Sequence, residues 1–207
     1  MFITFEGIDC SGKSTQVELL RAYLVKEKKR VELIREPGGT EISEKIREVL
    51  LDKKHFHMMM ETEIFLFSAS RAQLVREKIR PYLKEGVYVI SDRFHDSTTA
   101  YQGFGRGIDI NIVEHINKLA IGETVPDITF FIDIPVKVAE LRKQNKDLDR
   151  IEVSDSNFFE KVRNGYLKLA EGNSRFRIID GTMTIDEIHQ RIVNEINMLE
   201  KRSTYER

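Results

Sequence analysis

Residues 7–14 constrain this chain more than any other stretch. They read G-I-D-C-S-G-K-S, a full match to G-x-x-x-x-G-K-[ST]. The apolar run "FITFE" (2–6) precedes the motif, and "GKSTQVELLRAYLVKEKK" follows it with Val17, Leu20 and Leu24 on one helical face. A strand, a glycine turn and a helix in direct succession bring backbone N–H groups together at the positive end of a helix dipole. That arrangement is an anion cradle. Gly7, Ile8, Asp9, Cys10, Ser11, Gly12, Lys13, Ser14 and Thr15 are therefore the expected site for the phosphates of ATP. Lys13 should reach the β and γ phosphates, and Ser14 should ligate Mg²⁺. Asp9 is the odd member, a carboxylate inside a loop built for polyanions.

The rest of the chain repeats the strand–helix alternation. "RVELIR" (30–35), "GVYVISDR" (86–93), "DITFFIDI" (127–134) and "RFRIID" (175–180) read as four further strands. Helices are expected from Glu41 to about Leu51, with Ile42, Ile46 and Leu50 at spacing four, and from Glu61 to Lys84, with Ile64, Phe65, Phe67, Leu74 and Ile79 on apolar faces. "TIDEIHQRIVNEINML" closes the chain as an amphipathic helix. Alternation of this kind implies parallel strands with helical crossovers on both faces. The expected class is α/β, a three-layer P-loop NTPase fold whose five-stranded parallel sheet is flanked by helices. Without repeats or linkers, residues 1–207 read as one domain.

Composition removes several functions. Lys plus Arg (33) nearly cancels Asp plus Glu (34), so no global field draws in nucleic acid or an anionic membrane. One cysteine suits a reducing compartment, and no apolar run nears a membrane span. With no basic leader after Met1, the expected location is cytoplasmic. Guanine recognition by N-K-x-D is missing, because "NKLA" (117–120) and "NKDL" (145–148) both miss its spacing. His55-x-His57 lacks the further ligands of a zinc set.

Five segments, "FEGIDCSGKSTQ", "REPGGT", "FLFSASRAQLV", "DRFHDSTTAYQG" and "LDRIE", occur in the order and spacing of the bacterial thymidylate kinases, which the chain resembles from Met1 to about Leu199. The resemblance implies phosphorylation of dTMP by ATP with Mg²⁺, in a homodimer. It implies that Phe67 stacks on thymine, that Arg71 bonds its carbonyl edge, and that Thr98, Tyr101 and Gln102 complete the monophosphate site. Tyr101 would exclude a 2′-hydroxyl, and Asp9 would bond the sugar 3′-hydroxyl. Glu36 would lie near the acceptor phosphate, before a cis Glu36–Pro37 bond, with Arg47 reaching the phosphate or base.

Asp92 and Arg93 end a strand where doubly wound sheets hold ligands, so Asp92 suits Mg²⁺ and Arg93 the transferring phosphates. By itself the charge-dense segment at about 141–153 reads as a polar loop; the resemblance implies a lid there, with Arg150 as the leading catalytic cation and Arg142, Lys143 and Lys146 behind it. The catalytic set implied is thus Lys13, Arg93, Arg150 and Asp9. Two other readings stay open at this point: a deoxynucleoside kinase using Glu36 as base, and a nucleotide-binding switch without turnover.

Overall fold

The computed structural model describes residues 1–143 and 148–205, apart from the side chains of 203–205. Strands β1 (Phe2–Glu6), β2 (Val31–Arg35), β3 (Tyr88–Asp92), β4 (Ile128–Asp133) and β5 (Phe176–Asp180) form a sheet in the order β2-β3-β1-β4-β5. Every pairing in it is parallel. β1 is buried at each position, whereas β2, at the edge, buries only Ile34. A continuous apolar run belongs to a strand covered on both faces, as β1 is.

The helices are α1 (Lys13–Lys26), α2 (Glu41–Leu51), α3 (Met60–Leu74), α4 (Arg80–Lys84), α5 (His95–Thr98), α6 (Ile110–Ile121), α7 (Val136–Lys143), α8 (Ser156–Ala170) and α9 (Ile185–Tyr205). Side-chain alternation along the strands divides the core. Ile3, Phe5, Ile90 and Phe130 pack with Val17, Leu20 and Leu24 of α1 and Ile188, Ile192 and Ile196 of α9. On the opposite face, Phe131 meets Phe158, Val162 and Tyr166 of α8, while Phe2 and Val89 meet Leu74 of α3 and Ala120 of α6. The result is the expected three-layer P-loop NTPase architecture.

Three local features depart from the sequence pattern. The helix expected over 61–84 is interrupted by a π-helical turn, Val75–Ile79, before α4. Pro81 has no N–H to give the carbonyl four residues back and its ring crowds that carbonyl, so the hydrogen-bond register shifts. Ile42 and Phe65, expected on buried faces, are 54% and 62% exposed. α6 and α8, for which the pattern carried no prediction, complete the second face of the sheet.

The loops after β1, β2, β3 and β5 all open at the carboxyl edge of the sheet. The chain leaves β1 toward β2 and β4 toward β5, in opposite directions, which parts the loops above the centre into a crevice.

Candidate active site

The phosphate loop is shaped by close approach. Gly7 has φ +141°, and a Cβ there would stand 2.5 Å from the carbonyl oxygen of Ile132. Cys10 also takes a positive φ, 63°. Gly12 precedes α1 with no side-chain cap, so the first-turn N–H groups keep their capacity for an anion. Lys13 Nζ donates to the carbonyls of Gly7 (3.0 Å) and Ile8 (2.9 Å), which holds the ammonium inside the loop. Ser14 Oγ donates to Asp92 Oδ2 at 2.8 Å. An alcohol and a carboxylate oxygen are the hard donors Mg²⁺ selects, and it commonly takes its other ligands from water and phosphate.

Burial, then the neighbouring Arg93, lowers the Lys13 ammonium to about 8. A bound polyphosphate favours the charged form, so the complex holds more protons than the free protein once pH passes that value. ATP affinity is expected to fall as pH rises through 8, with uptake of roughly half a proton per ATP near that pH. Calorimetry in buffers of different ionisation enthalpy measures this. Identical heats in all buffers would contradict it.

The loop opens into a cavity of about 750 Å³. Asp9 to Thr15, Glu36, Arg47, Phe67, Arg71, Asp92, Arg93, Thr98, Tyr101 and Gln102 all line it. Gly7 and Ile8 lie behind the wall and serve through their carbonyls. Asp9 does not face the phosphate cradle alone: Arg93 Nη2 donates to its Oδ1 at 2.6 Å and the Tyr101 hydroxyl to its Oδ2 at 3.2 Å. Burial would raise the Asp9 carboxyl, but Arg93 and Lys13 outweigh it and hold it below the ordinary range. Arg93 itself has φ 72°, a conformation that costs a non-glycine residue free energy and that surrounding contacts must maintain. Those contacts include the Gly7 carbonyl at 2.8 Å from Nη1.

Glu6, absent from the residues expected to matter, anchors this corner. Its carboxylate accepts from the backbone N–H of Phe94 (2.8 Å), Ser97 Oγ (2.6 Å) and the Tyr166 hydroxyl (2.8 Å). Burial, reinforced by Asp96, raises its carboxyl to about 7. It ties the segment after Arg93 to the end of β1. Of the two adjacent hydroxyls at 97 and 98, Ser97 serves this anchor and Thr98 accepts from Arg71 at 2.8 Å.

Arg71 is 1% exposed. Its Nε and Nη2 bind Glu36 Oε2 at 2.7 and 2.6 Å, and its remaining N–H groups reach Thr98, Asn117 and the Phe94 carbonyl. Glu36 therefore holds the arginine at the wall of the cavity through Oε2, while its Oε1 has no hydrogen-bond partner among the described residues. The Glu36–Pro37 bond is cis, and Arg47 Nη1 donates to the Pro37 carbonyl at 2.9 Å. Tyr101 and Gln102 sit on a π-helical turn, Thr99–Gly105, which packs on α8.

Arg150, expected as the catalytic lid cation, points elsewhere. It is 6% exposed, with Nε bonded to the Leu50 carbonyl (2.7 Å) and Nη1 paired to Glu63 (2.7 Å). The buried Glu63 carboxylate needs cationic partners, and Arg150 is one of them. It lines a separate small cavity with Phe56 and Arg106. Arg142, ranked behind it, is the one that lines the main cavity, donating to the carbonyls of Cys10 (3.3 Å) and Gly181 (3.1 Å). Lys143 bonds the Glu152 carbonyl at 3.3 Å, and Lys146 lies outside the described residues.

A phosphate loop at the carboxyl edge of a parallel sheet, facing an aromatic and cationic second wall across one cavity, defines the P-loop class of protein. The thymidylate kinase family model matches residues 5–192. A thymidylate kinase of Thermosipho africanus is 53% identical over 192 residues, spanning 93% of this chain and 95% of its own. That of Kosmotoga olearia is 50% identical over 198 residues, 94% of each chain. The crystal structure of thymidylate kinase from Ehrlichia chaffeensis superposes with a TM-score of 0.78 at 36% identity, covering 95% of this chain and 98% of that one. The chain belongs to the thymidylate kinase family.

Proposed function

We propose that the protein transfers the γ-phosphoryl group of ATP to dTMP, giving dTDP and ADP on the route to dTTP. The observation that carries this reading is the Asp9–Arg93 pair. It stands between the phosphate loop and the wall of Phe67, Arg71, Thr98, Tyr101 and Gln102, within one cavity. In this reading the loop N–H groups and Lys13 hold the donor phosphates. Arg93 bridges toward the acceptor phosphate, whose oxygen attacks in line as the bond to ADP breaks. A phosphate oxygen is already anionic, so no general base is required, and positioned positive charge supplies the catalysis. Ser14 and Asp92 would hold Mg²⁺, which supplies charge screening between the phosphates.

Phe67 offers a face for the base, Arg71 and Gln102 offer polar groups for its edge, and Arg47 stands near the acceptor phosphate. Asp9 offers a carboxylate to the 3′-hydroxyl, and Tyr101 fills the space a 2′-hydroxyl would need. The lid expected over 141–153 would exclude water, its residues 144–147 lying outside the described residues, with Arg142 as the cation brought to the donor.

A nucleoside-phosphorylating reading would need Glu36 as a base; Arg71 engages its Oε2 through two N–H groups and Oε1 has no partner among the described residues, so the choice of acceptor is what an assay must decide. Assays with dTMP, thymidine and dUMP in the presence of Mg²⁺ test the assignment. The expected order places dTMP first. Faster turnover of thymidine, or ATP binding without dTDP formation, would overturn it.

A homodimer and a cytoplasmic location belong to the same proposal. α3 packs between α2 and α6, and these helices expose Ile42, Val49, Phe65, Ile112 and Leu119, an apolar surface suited to a second copy. Sedimentation returning only a 24.1 kDa species would remove the dimer. Among the described residues no helix is long and apolar enough to cross a membrane.

A further inference from the structure

We infer that Glu63 is a positioning residue that sets which pyrimidine the site accepts, by fixing the Gln102 side-chain amide with its carbonyl toward the base. This rests on the dTMP reading above. Glu63 lies one helical turn before Phe67 on α3, is 1% exposed, and has no part in the phosphoryl transfer. Its carboxylate is fully engaged. Oε1 accepts from Gln102 Nε2 (2.9 Å) and Arg106 Nε (3.1 Å). Oε2 accepts from Arg106 Nη2 (3.3 Å) and pairs with Arg150 Nη1 (2.7 Å). Burial opposes its ionisation, but Arg106 and the hydrogen bonds hold the carboxyl below its ordinary range.

An ionised carboxylate accepts and never donates. It can hold the Gln102 amide only by the NH₂ end, because the reversed amide would set oxygen against carboxylate oxygen in a dry site. Gln102 is buried at the cavity wall beside Tyr101, and its carbonyl is the end left for a ligand. Thymine carries a hydrogen on N3, whereas N3 of cytosine is an acceptor. A fixed carbonyl therefore accepts from thymine and repels cytosine. A glutamine free to rotate would suit both. Glu36 does the corresponding work for Arg71 on the same wall, so two buried carboxylates would orient the two groups that read the base.

Glu63→Gln supplies an amide that can either donate or accept, and so releases Gln102. The ratio of kcat/KM for dTMP over dCMP is expected to fall at least about tenfold, roughly the worth of one buried hydrogen bond. The change should come mainly through a lowered KM for dCMP, with kcat for dTMP little changed. Gln102→Met should lower the ratio by itself, and adding Glu63→Gln to it should lower the ratio no further. Arg106→Met removes two of the four donors but keeps both carboxylate and amide, so the ratio should hold.

An unchanged ratio in Glu63→Gln overturns the inference. So does a loss that persists in full in the Gln102→Met background, or an equal loss in Arg106→Met, which would mark general loosening. If Gln102→Met alone leaves the ratio unchanged, the placement of the base falls and the inference with it. Should Glu63→Gln fail to fold, Glu63→Asp keeps the charge for both arginines and draws the acceptor back from Gln102. It must then show the same direction of loss.

Discussion

Replacing Arg93 by alanine is expected to lower kcat by about 10³-fold, the scale on which a phosphate-bridging arginine acts in phosphoryl transfer. The side chain joins the two halves of the cavity. One Nη holds Asp9 at 2.6 Å and the other the Gly7 carbonyl at 2.8 Å, both in the phosphate loop, while the guanidinium lies over the Tyr101 ring on the facing wall at 5.0 Å. Its loss also leaves Asp9, a half-buried carboxylate, without its cation. Lysine at this position should recover little, because one ammonium cannot span both contacts as a planar fork does. Steady-state rates with dTMP and ATP, alongside thermal melting to establish folding, give the answer. A loss under tenfold in a folded variant would remove Arg93 from the transfer step.

The second large effect is on stability. Glu36→Ala is expected to cost about 3–5 kcal/mol, the penalty of leaving a buried charge without its partner. Arg71 cannot turn to solvent, since its guanidinium is enclosed by Thr98, Asn117 and the Phe94 carbonyl. For a chain of this length the melting temperature should fall by about 10 °C. Glu36→Gln, which retains an acceptor for the Arg71 N–H groups, should cost clearly less. Chemical denaturation of both variants measures the difference. A cost below about 1 kcal/mol for Glu36→Ala would mean that water reaches Arg71.

The contrast between Ile42 and Leu50 shows where reading a sequence by periodicity runs out. Spacing of four places both on one side of α2, yet Leu50 is buried and Ile42 is not. Period describes a helix, whereas burial depends on what lies opposite each turn. Phe65 fails for the same reason, and its exposure becomes informative only once α2 and α6 are seen beside α3. The strands were more legible: each was recognised to within two residues, β1 and β4 by the unbroken apolar runs of doubly buried strands and the edge strands β2 and β5 by short β-prone runs. The π-helical turn that carries Tyr101 and Gln102 had no such signal, since its geometry is held by α8.

The donor half of the site was determined by the sequence alone. Glycines, lysine and serine are consecutive there, their geometry follows from local φ values, and the N–H groups that bind phosphate belong to the same few residues. The motifs also named Phe67 and Arg71, by resemblance, and both line the cavity. What only the tertiary structure decided was the direction of long cationic side chains. Arg150 and Arg142 are both arginines in one charged segment, and nothing local distinguishes them. A buried carboxylate on α3 takes the first, and the carbonyls of the phosphate loop and of Gly181 take the second. Arg150, in the interior, goes to the carboxylate that offsets its desolvation, whereas Arg142 stays exposed and reaches carbonyls brought near it by packing distant in the chain.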